Sequence, residues 1–230
     1  GTFVGDDFAA AGIIWAVKHG ANVMNNSWGG WGYSHTLKSA FDYALDNNVV
    51  VVVSAGNDHT NQHMLYPAGY PGIIEVAAVE YNGEDYKTTQ FSSRSDGVAV
   101  GAPGVKILST VPLDGSIGSE GYSVVSEEND GTYDYYDGTS MACPHVTGSV
   151  ALLLQKYPDA KPWQIRRLLQ QTAADIDDVG WDHNSGYGLV NLKNAFEEPL
   201  PETGGLTYNI KVTDAYGYWE VPTVFVTMKR

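Results

Sequence analysis

The run Gly138-Thr139-Ser140-Met141-Ala142-Cys143-Pro144-His145-Val146-Thr147-Gly148 holds the residue best placed for covalent chemistry. Ser140 stands where a helix begins, beside unpaired backbone N–H groups and the positive end of the helix dipole. Both favour an oxyanion developing on a bound carbonyl. Gly138 lets a substrate backbone approach closely. Ala142 occupies the place where a Gly-x-Ser-x-Gly elbow needs its second glycine, so the run is not that elbow. A second segment, Val53-Ser54-Ala55-Gly56-Asn57-Asp58, follows an apolar stretch, at the carboxyl end of a strand where open α/β sheets place their sites. In isolation Ser140 would be a helix cap and Asn57 a turn residue beside glycine; their presence in one chain gives the chemical reading its weight.

These groups need a scaffold, and the hydrophobic pattern outlines one. From Asp7 to His19, Phe8, Ala11, Ile14, Trp15 and Ala16 recur at helical spacing, with Asp6 or Asp7 as cap and Gly20 as stop. Asn22 to Asn25 reads as a short strand running into the glycine-rich Ser27-Trp28-Gly29-Gly30. Ser34 caps a helix to about Asp46 that turns Leu37, Ala40, Phe41 and Ala44 to one side. Val49 to Val53 is apolar without alternation, which implies burial on both sheet faces and hence a parallel central strand. Ile73 to Val79 repeats that pattern, and Val105 to Leu108 does so weakly. Residues 111–138 are rich in glycine, serine, tyrosine and acids, and read as a long loop or short meander. An apolar helix covers Val146 to Tyr157, and Pro162 opens another to about Ala173. Strands alternating with helices predict a three-layer α/β fold, an open and mostly parallel sheet with helices on both faces.

Two domains are expected. Residues 1–198 form the α/β unit. Pro199, Pro201 and Gly204-Gly205 make a linker, and the alternating runs Thr207–Val212 and Thr223–Val226 read as the first strands of a β-sandwich within 199–230. Acidic residues outnumber basic ones 27 to 13, a formal charge of −14, which repels phosphate backbones and argues against nucleic acid as a partner. No apolar run approaches the roughly 18–20 residues of a membrane span. The single Cys143 excludes an internal disulfide framework.

The Ser140 run resembles the nucleophile signature of subtilisin-like serine proteases, and the resemblance extends over about residues 1–198. Phe91-Ser92-Ser93-Arg94, Gly101-Ala102-Pro103-Gly104 and Gly186-Tyr187-Gly188-Leu189-Val190-Asn191 are similar to scaffold segments of that family. The resemblance implies a serine endopeptidase that cleaves peptide bonds through an acyl-enzyme on Ser140. Asn57 would donate its side-chain amide to the oxyanion together with a backbone N–H, and Thr139 would belong to the substrate-binding residues. Asn26-Ser27-Trp28-Gly29-Gly30 is similar to the substrate-binding strand, facing Ala55 and Gly56 across a specificity pocket. Leu65 and Ala68 resemble positions at the pocket base, where an apolar floor implies large apolar residues before the scissile bond; Leu65 as plain core is the alternative. The Trp28 to Tyr33 stretch, the acidic loop and the β tail look most like a multidomain extracellular member. Secretion, with cell-surface association as an option, is expected. So are structural calcium in the full-length enzyme, a propeptide and no cofactor for catalysis.

The family's chain order is aspartate, histidine, serine, and neither the Asp-x-Gly strand end nor the His-Gly-Thr-His helix occurs in these residues. His145 lies five residues beyond Ser140, rotated roughly 140° around the helix. His19 ends a helix; His35, His59, His63 and His183 sit in polar loops. No histidine is placed to deprotonate Ser140, so the 230 residues alone are expected to be inert. The partner they require is an upstream segment of the same precursor carrying the aspartate and histidine. Metal sites stay open. Ala99 stands where a weak cation site usually has an acid. Ser126-Glu127-Glu128-Asn129-Asp130-Gly131 with Asp134 and Asp137, and the group Asp175, Asp177, Asp178 and Asp182, read as solvated acidic loops, with cation ligation as the alternative. Cys143 reads as a small buried thiol. A noncatalytic peptide-binding pseudoprotease and an adhesive module are the competing functions; intact Ser140 and Asn57 argue against both.

Overall fold

The structure, a computed structural model, describes residues 5–59, 65–111, 133–202, 213–214 and 217–218. Its centre is a five-stranded sheet. Strands β1 (Val23–Asn26), β3 (Val50–Ser54), β5 (Ile74–Tyr81) and β7 (Val98–Pro103) run parallel in that spatial order, and β6 (Tyr86–Thr88) pairs antiparallel with the end of β5. All five residues of β3 are buried, as a run of Val50, Val51, Val52 and Val53 without polar alternation requires.

Helices α1 (Asp6–Lys18) and α2 (His35–Asp46) cover one face, packing Ile13, Leu37 and Phe41 against Val51 and Val53. On the other face, α3 (Thr139–Lys156), α4 (Pro162–Thr172) and α5 (Leu192–Glu197) pack Val146, Leu153, Ile165 and Leu169 against Val52, Val76 and Val100. The three-layer architecture expected from the pattern is therefore present. The outer pieces are two short ladders: β2 (Gly30–Trp31) with β4 (Leu65–Tyr66), and β8 (Ile107–Thr110) with β9 (Tyr133–Tyr136).

The differences from the sequence reading have physical causes. Helix α1 buries Ala10 and Ile13, whereas Phe8 and Trp15 are 74% and 62% exposed. Its residues are apolar on most sides, so spacing alone does not select the buried face. Gly5, not an aspartate, is its N-cap, and Asp6 and Asp7 fall in the first turn, where they still complement the dipole. His35 is the first residue of α2 rather than part of a loop, and Ser34 caps it by accepting from Leu37 N–H. The Val105–Leu108 strand is the outer hairpin strand β8, and the buried parallel strand of that region is Val98–Pro103, whose Gly101 and Pro103 interrupt the apolar run. Helix α3 begins at Thr139 rather than Val146 and includes Pro144. The runs at 207–212 and 223–226 lie outside the described residues; between them Thr213–Asp214 (β10) pairs with Gly217–Tyr218 (β11).

Candidate active site

Three chain segments leave the carboxyl ends of parallel strands and meet at the start of α3. β1 runs into Ser27, β3 into Ala55-Gly56-Asn57, and β7 into Gly104. Gly104 C=O accepts from Gly138 N–H at 2.8 Å, and a side chain on Gly104 would collide with Gly138 O and Ala78 Cβ at 2.9 and 2.6 Å. The helix start is thus seated on the end of β7, which explains why the Gly101–Gly104 segment behaves as scaffold.

Thr139 fixes the β3 loop from inside. It is fully buried; its hydroxyl accepts from Gly56 N–H at 3.1 Å and donates to Asn57 Oδ1 at 2.9 Å, and its own N–H donates to the same oxygen at 3.0 Å. With Oδ1 engaged twice, the amide Nδ2 is the end of Asn57 that faces Ser140. A Cβ added to Gly138 would lie 3.4 Å from Asn57 Nδ2 and 3.7 Å from Ser140 N. Asn57 Nδ2 and Ser140 N therefore flank one small space beside Ser140, and Gly138, at φ +152°, keeps it open. Ser140 N–H belongs to the first helical turn, which has no i−4 carbonyl to bind.

Pro144 shapes the other side of Ser140. A helical Ser140 C=O would normally accept from the N–H four residues on, and proline has none. The Ser27 hydroxyl takes that place, donating to Ser140 O at 2.8 Å, while Ser140 Oγ donates to Ser27 O at 3.3 Å. Ser27 is in turn held by Asn25, whose Nδ2 donates to Ser27 Oγ at 2.9 Å and whose Oδ1 accepts from Thr147 Oγ1 at 3.0 Å. Asn25 and Thr147 were not singled out from sequence, because nothing in the local pattern links residues so far apart.

Ser27 to Gly30 lead into β2, and the β2–β4 ladder sets Gly30 opposite Tyr66 and Trp31 opposite Leu65. Gly29 passes so near that a Cβ there would meet Tyr66 O at 3.1 Å. Leu65 is buried, and its Cδ1 sits where a Cβ of Gly56 would be, at 2.1 Å; Gly56, at φ +105°, admits no side chain. Leu65 thus bridges the two walls. Trp28 is half-buried and leans on Phe41, and Ala68 lies in the core shared by the sheet with α1 and α2. Ala55 is buried beneath the loop. Ser93 braces that loop: its N–H donates to Gly56 O at 2.8 Å and its hydroxyl accepts from Asp58 N–H at 3.1 Å.

Among the described residues no histidine reaches Ser140. His19 bonds Trp15 O and stacks on its ring, His145 bonds Met141 O, His59 bonds Gln90 O, His183 pairs with Asp96, and His35 contacts Tyr33. His63 lies outside the described residues. Cys143 is fully buried, and burial pushes its thiol up to about 11 despite bonds from Ser27, Asn26 and Thr147, so it stays protonated and unreactive. Among the described residues no three His, Cys, Asp or Glu side chains gather as a metal site. Asp137 accepts from Lys106 N–H, Asp175 from Gly180 N–H, Asp177 from Thr88 N–H and Asp182 from Asn184 and Ser185 N–H, each stapling a loop. Residues 126–131 lie outside the described residues, and no described helix is long and apolar enough to cross a membrane.

The subtilase family profile matches residues 3–188. Fervidolysin of Fervidobacterium pennivorans is 63% identical over 230 residues, covering 99% of this chain and 33% of fervidolysin. Subtilisin DY of Bacillus licheniformis is 38% identical over 188 residues, covering 80% of this chain and 60% of that protein. The crystal structure of fervidolysin, described as a keratinolytic enzyme related to subtilisin, superposes with a TM-score of 0.81 at 64% identity, over 89% of this chain and 31% of that one. The chain thus spans about a third of the length of fervidolysin.

Proposed function

This chain belongs to the subtilase family, and on that premise we propose that it supplies the nucleophile and the oxyanion donors of a serine endopeptidase. The observation that carries this reading is the pair of donors, Asn57 Nδ2 and Ser140 N, around the open space above Gly138. Ser140 Oγ attacks the scissile carbonyl carbon. Its proton passes to a histidine on an upstream segment of the full-length protein, and the carbonyl oxygen gains charge between the two donors. Collapse breaks the C–N bond, the amine leaves with that proton, and water then hydrolyses the ester on Ser140.

Protein substrates would lie extended along Ser27 to Gly30. Leu65, whose Cδ1 packs against Gly56, closes the pocket with an apolar floor, so Phe, Tyr, Leu or Met is favoured before the scissile bond. No carboxylate among these residues pairs with Lys or Arg, and burying an unpaired charge there costs several kcal/mol. Secretion, a propeptide and structural calcium belong to the same proposal for the full-length enzyme.

The test uses the full-length protein. A fluorophosphonate should label Ser140 stoichiometrically, and Ser140→Ala should abolish both labelling and casein hydrolysis. Proteolysis that survives Ser140→Ala overturns the assignment. A peptide-library digest should show apolar preference, moving toward Lys and Arg in Leu65→Glu; basic preference in the unmodified enzyme removes Leu65 from the pocket floor.

A further inference from the structure

We propose that Asn25, on the outward side of β1, is a positioning residue for Ser140 that acts through the Ser27 hydroxyl. The inference rests on the reading of Ser140 as the acylated nucleophile. Asn25 touches neither Ser140 nor the space between the oxyanion donors, and its side chain is exposed, so core packing does not account for its place.

The direction of every bond in the network follows from one atom that can only accept. Ser140 C=O is that atom, and Pro144 denies it a helical donor. The Ser27 hydroxyl, 2.8 Å away, must therefore spend its single proton on Ser140 O. Having donated, Ser27 Oγ can only accept from Asn25, so Asn25 must present Nδ2 to it, at 2.9 Å. Oδ1 then faces the Thr147 hydroxyl at 3.0 Å, which also lies 3.0 Å from Cys143 O. Without Asn25, the Ser27 hydroxyl loses the donor that holds it toward Ser140 O and can rotate toward the Cys143 thiol, which also bonds it. With Asn25, the Ser27 proton stays on Ser140 O, and Ser27 O stays opposite Ser140 Oγ at 3.3 Å. Asn25 thereby sets the separation between the substrate-binding strand and the nucleophile.

Asn25→Asp keeps the shape and removes the donor. It also reverses the bond, because the Ser27 hydroxyl now donates to the carboxylate, the stronger acceptor, and abandons Ser140 O. In the full-length enzyme, acylation of Ser140 by a fluorophosphonate should slow roughly three- to tenfold, the scale of one hydrogen bond, with kcat rather than KM carrying the loss on a peptide substrate. Asn25→Ala, which leaves the Ser27 proton free to remain on Ser140 O, should lose less. The deficit of Asn25→Asp should shrink as pH falls into the carboxyl range, where a protonated Asp regains a donor. In a Ser27→Ala background, Asn25→Asp should cost nothing further.

Equal rates for wild type and Asn25→Asp overturn the proposal, as does a loss in Asn25→Ala as large as in Asn25→Asp. A deficit that persists undiminished in Ser27→Ala also overturns it, since the effect would then be one of charge or folding. Failure of the wild-type enzyme to label at Ser140 would instead remove the acyl-enzyme reading itself.

Discussion

Thr139 and Glu75 are both polar side chains almost wholly excluded from water, one in the first turn of α3 and the other on β5, and their surroundings treat them in opposite ways. Thr139 is neutral and saturated, accepting from Gly56 N–H and donating to Asn57 Oδ1, so its burial costs little and fixes a geometry. Glu75 lies on β5, and both of its oxygens share the one hydroxyl of Ser95. Burial pushes its carboxyl up to about 7, against that Ser95 bond and the Arg166 charge, with Asp96 adding to the rise. The contrast shows that burial by itself does not make a polar group functional. A group matched bond for bond orders its neighbours, whereas one left short of donors keeps a proton.

The contrast is most sharply broken at the residue Thr139 serves. Asn57→Ala in the full-length enzyme should lower kcat by about two to three orders of magnitude with KM nearly unchanged, because the lost donor acts on the transition state. A rise in KM at constant kcat would make Asn57 a binding residue instead.

Glu75 should speak through stability. Its folded-state pKa is raised from 4.5 to about 7, so between those values the native protein holds a proton that the unfolded chain has released. Stability is therefore complete below pH about 4.5, declines as pH rises to about 7, and is level beyond. Glu75→Gln should remove this slope and raise stability at pH 8 by up to about 3 kcal/mol, with little change at pH 4.5. Thermal melts of the inhibitor-blocked full-length enzyme check it, and equal gains at both pH values would show that the carboxyl does not titrate in this window. The neighbouring His183–Asp96 pair is exposed and should contribute little.

The smallest effect is expected from Thr139 itself. Thr139→Val removes one hydroxyl but leaves the Thr139 N–H bond to Asn57 Oδ1, so kcat should fall only about tenfold. Thr139→Ser should restore it, and failure of serine to rescue would assign the loss to packing.

Val50 to Val53 announced a central parallel strand because residues buried on both faces have no reason to alternate. Helix α2 was equally legible, since Leu37, Ala40, Phe41 and Ala44 make one stripe and Ser34 caps it. Val98–Pro103 escaped notice because Gly101 must be small where Val79 Cγ2 comes within 2.5 Å of its Cβ position, and that requirement erased the apolar signal. In the site, Ser140 and Asn57 could be singled out because each stands at a local feature, a helix start and a strand end, whereas Thr139, expected among the substrate-binding residues, is fully buried and holds the β3 loop instead. Asn25 and Thr147 could not be singled out, since an asparagine in a strand and a threonine in a helix acquire their meaning only from each other, 122 residues apart in the chain.

The hydrogen bond from Ser27 to Ser140 closes a loop of 113 residues, and that from Thr139 to Asn57 one of 82. Closures of this length are among the slow steps of folding, because chain entropy must be surrendered before the contact returns anything. A ribosome making this protein releases Ser27 and Asn57 long before Ser140 exists, so the nascent chain carries two walls of the proposed site before its third part is made. The proposed site is complete only when α3 docks against β1 and β3, and a product truncated before Gly138 lacks Thr139 and Ser140 altogether.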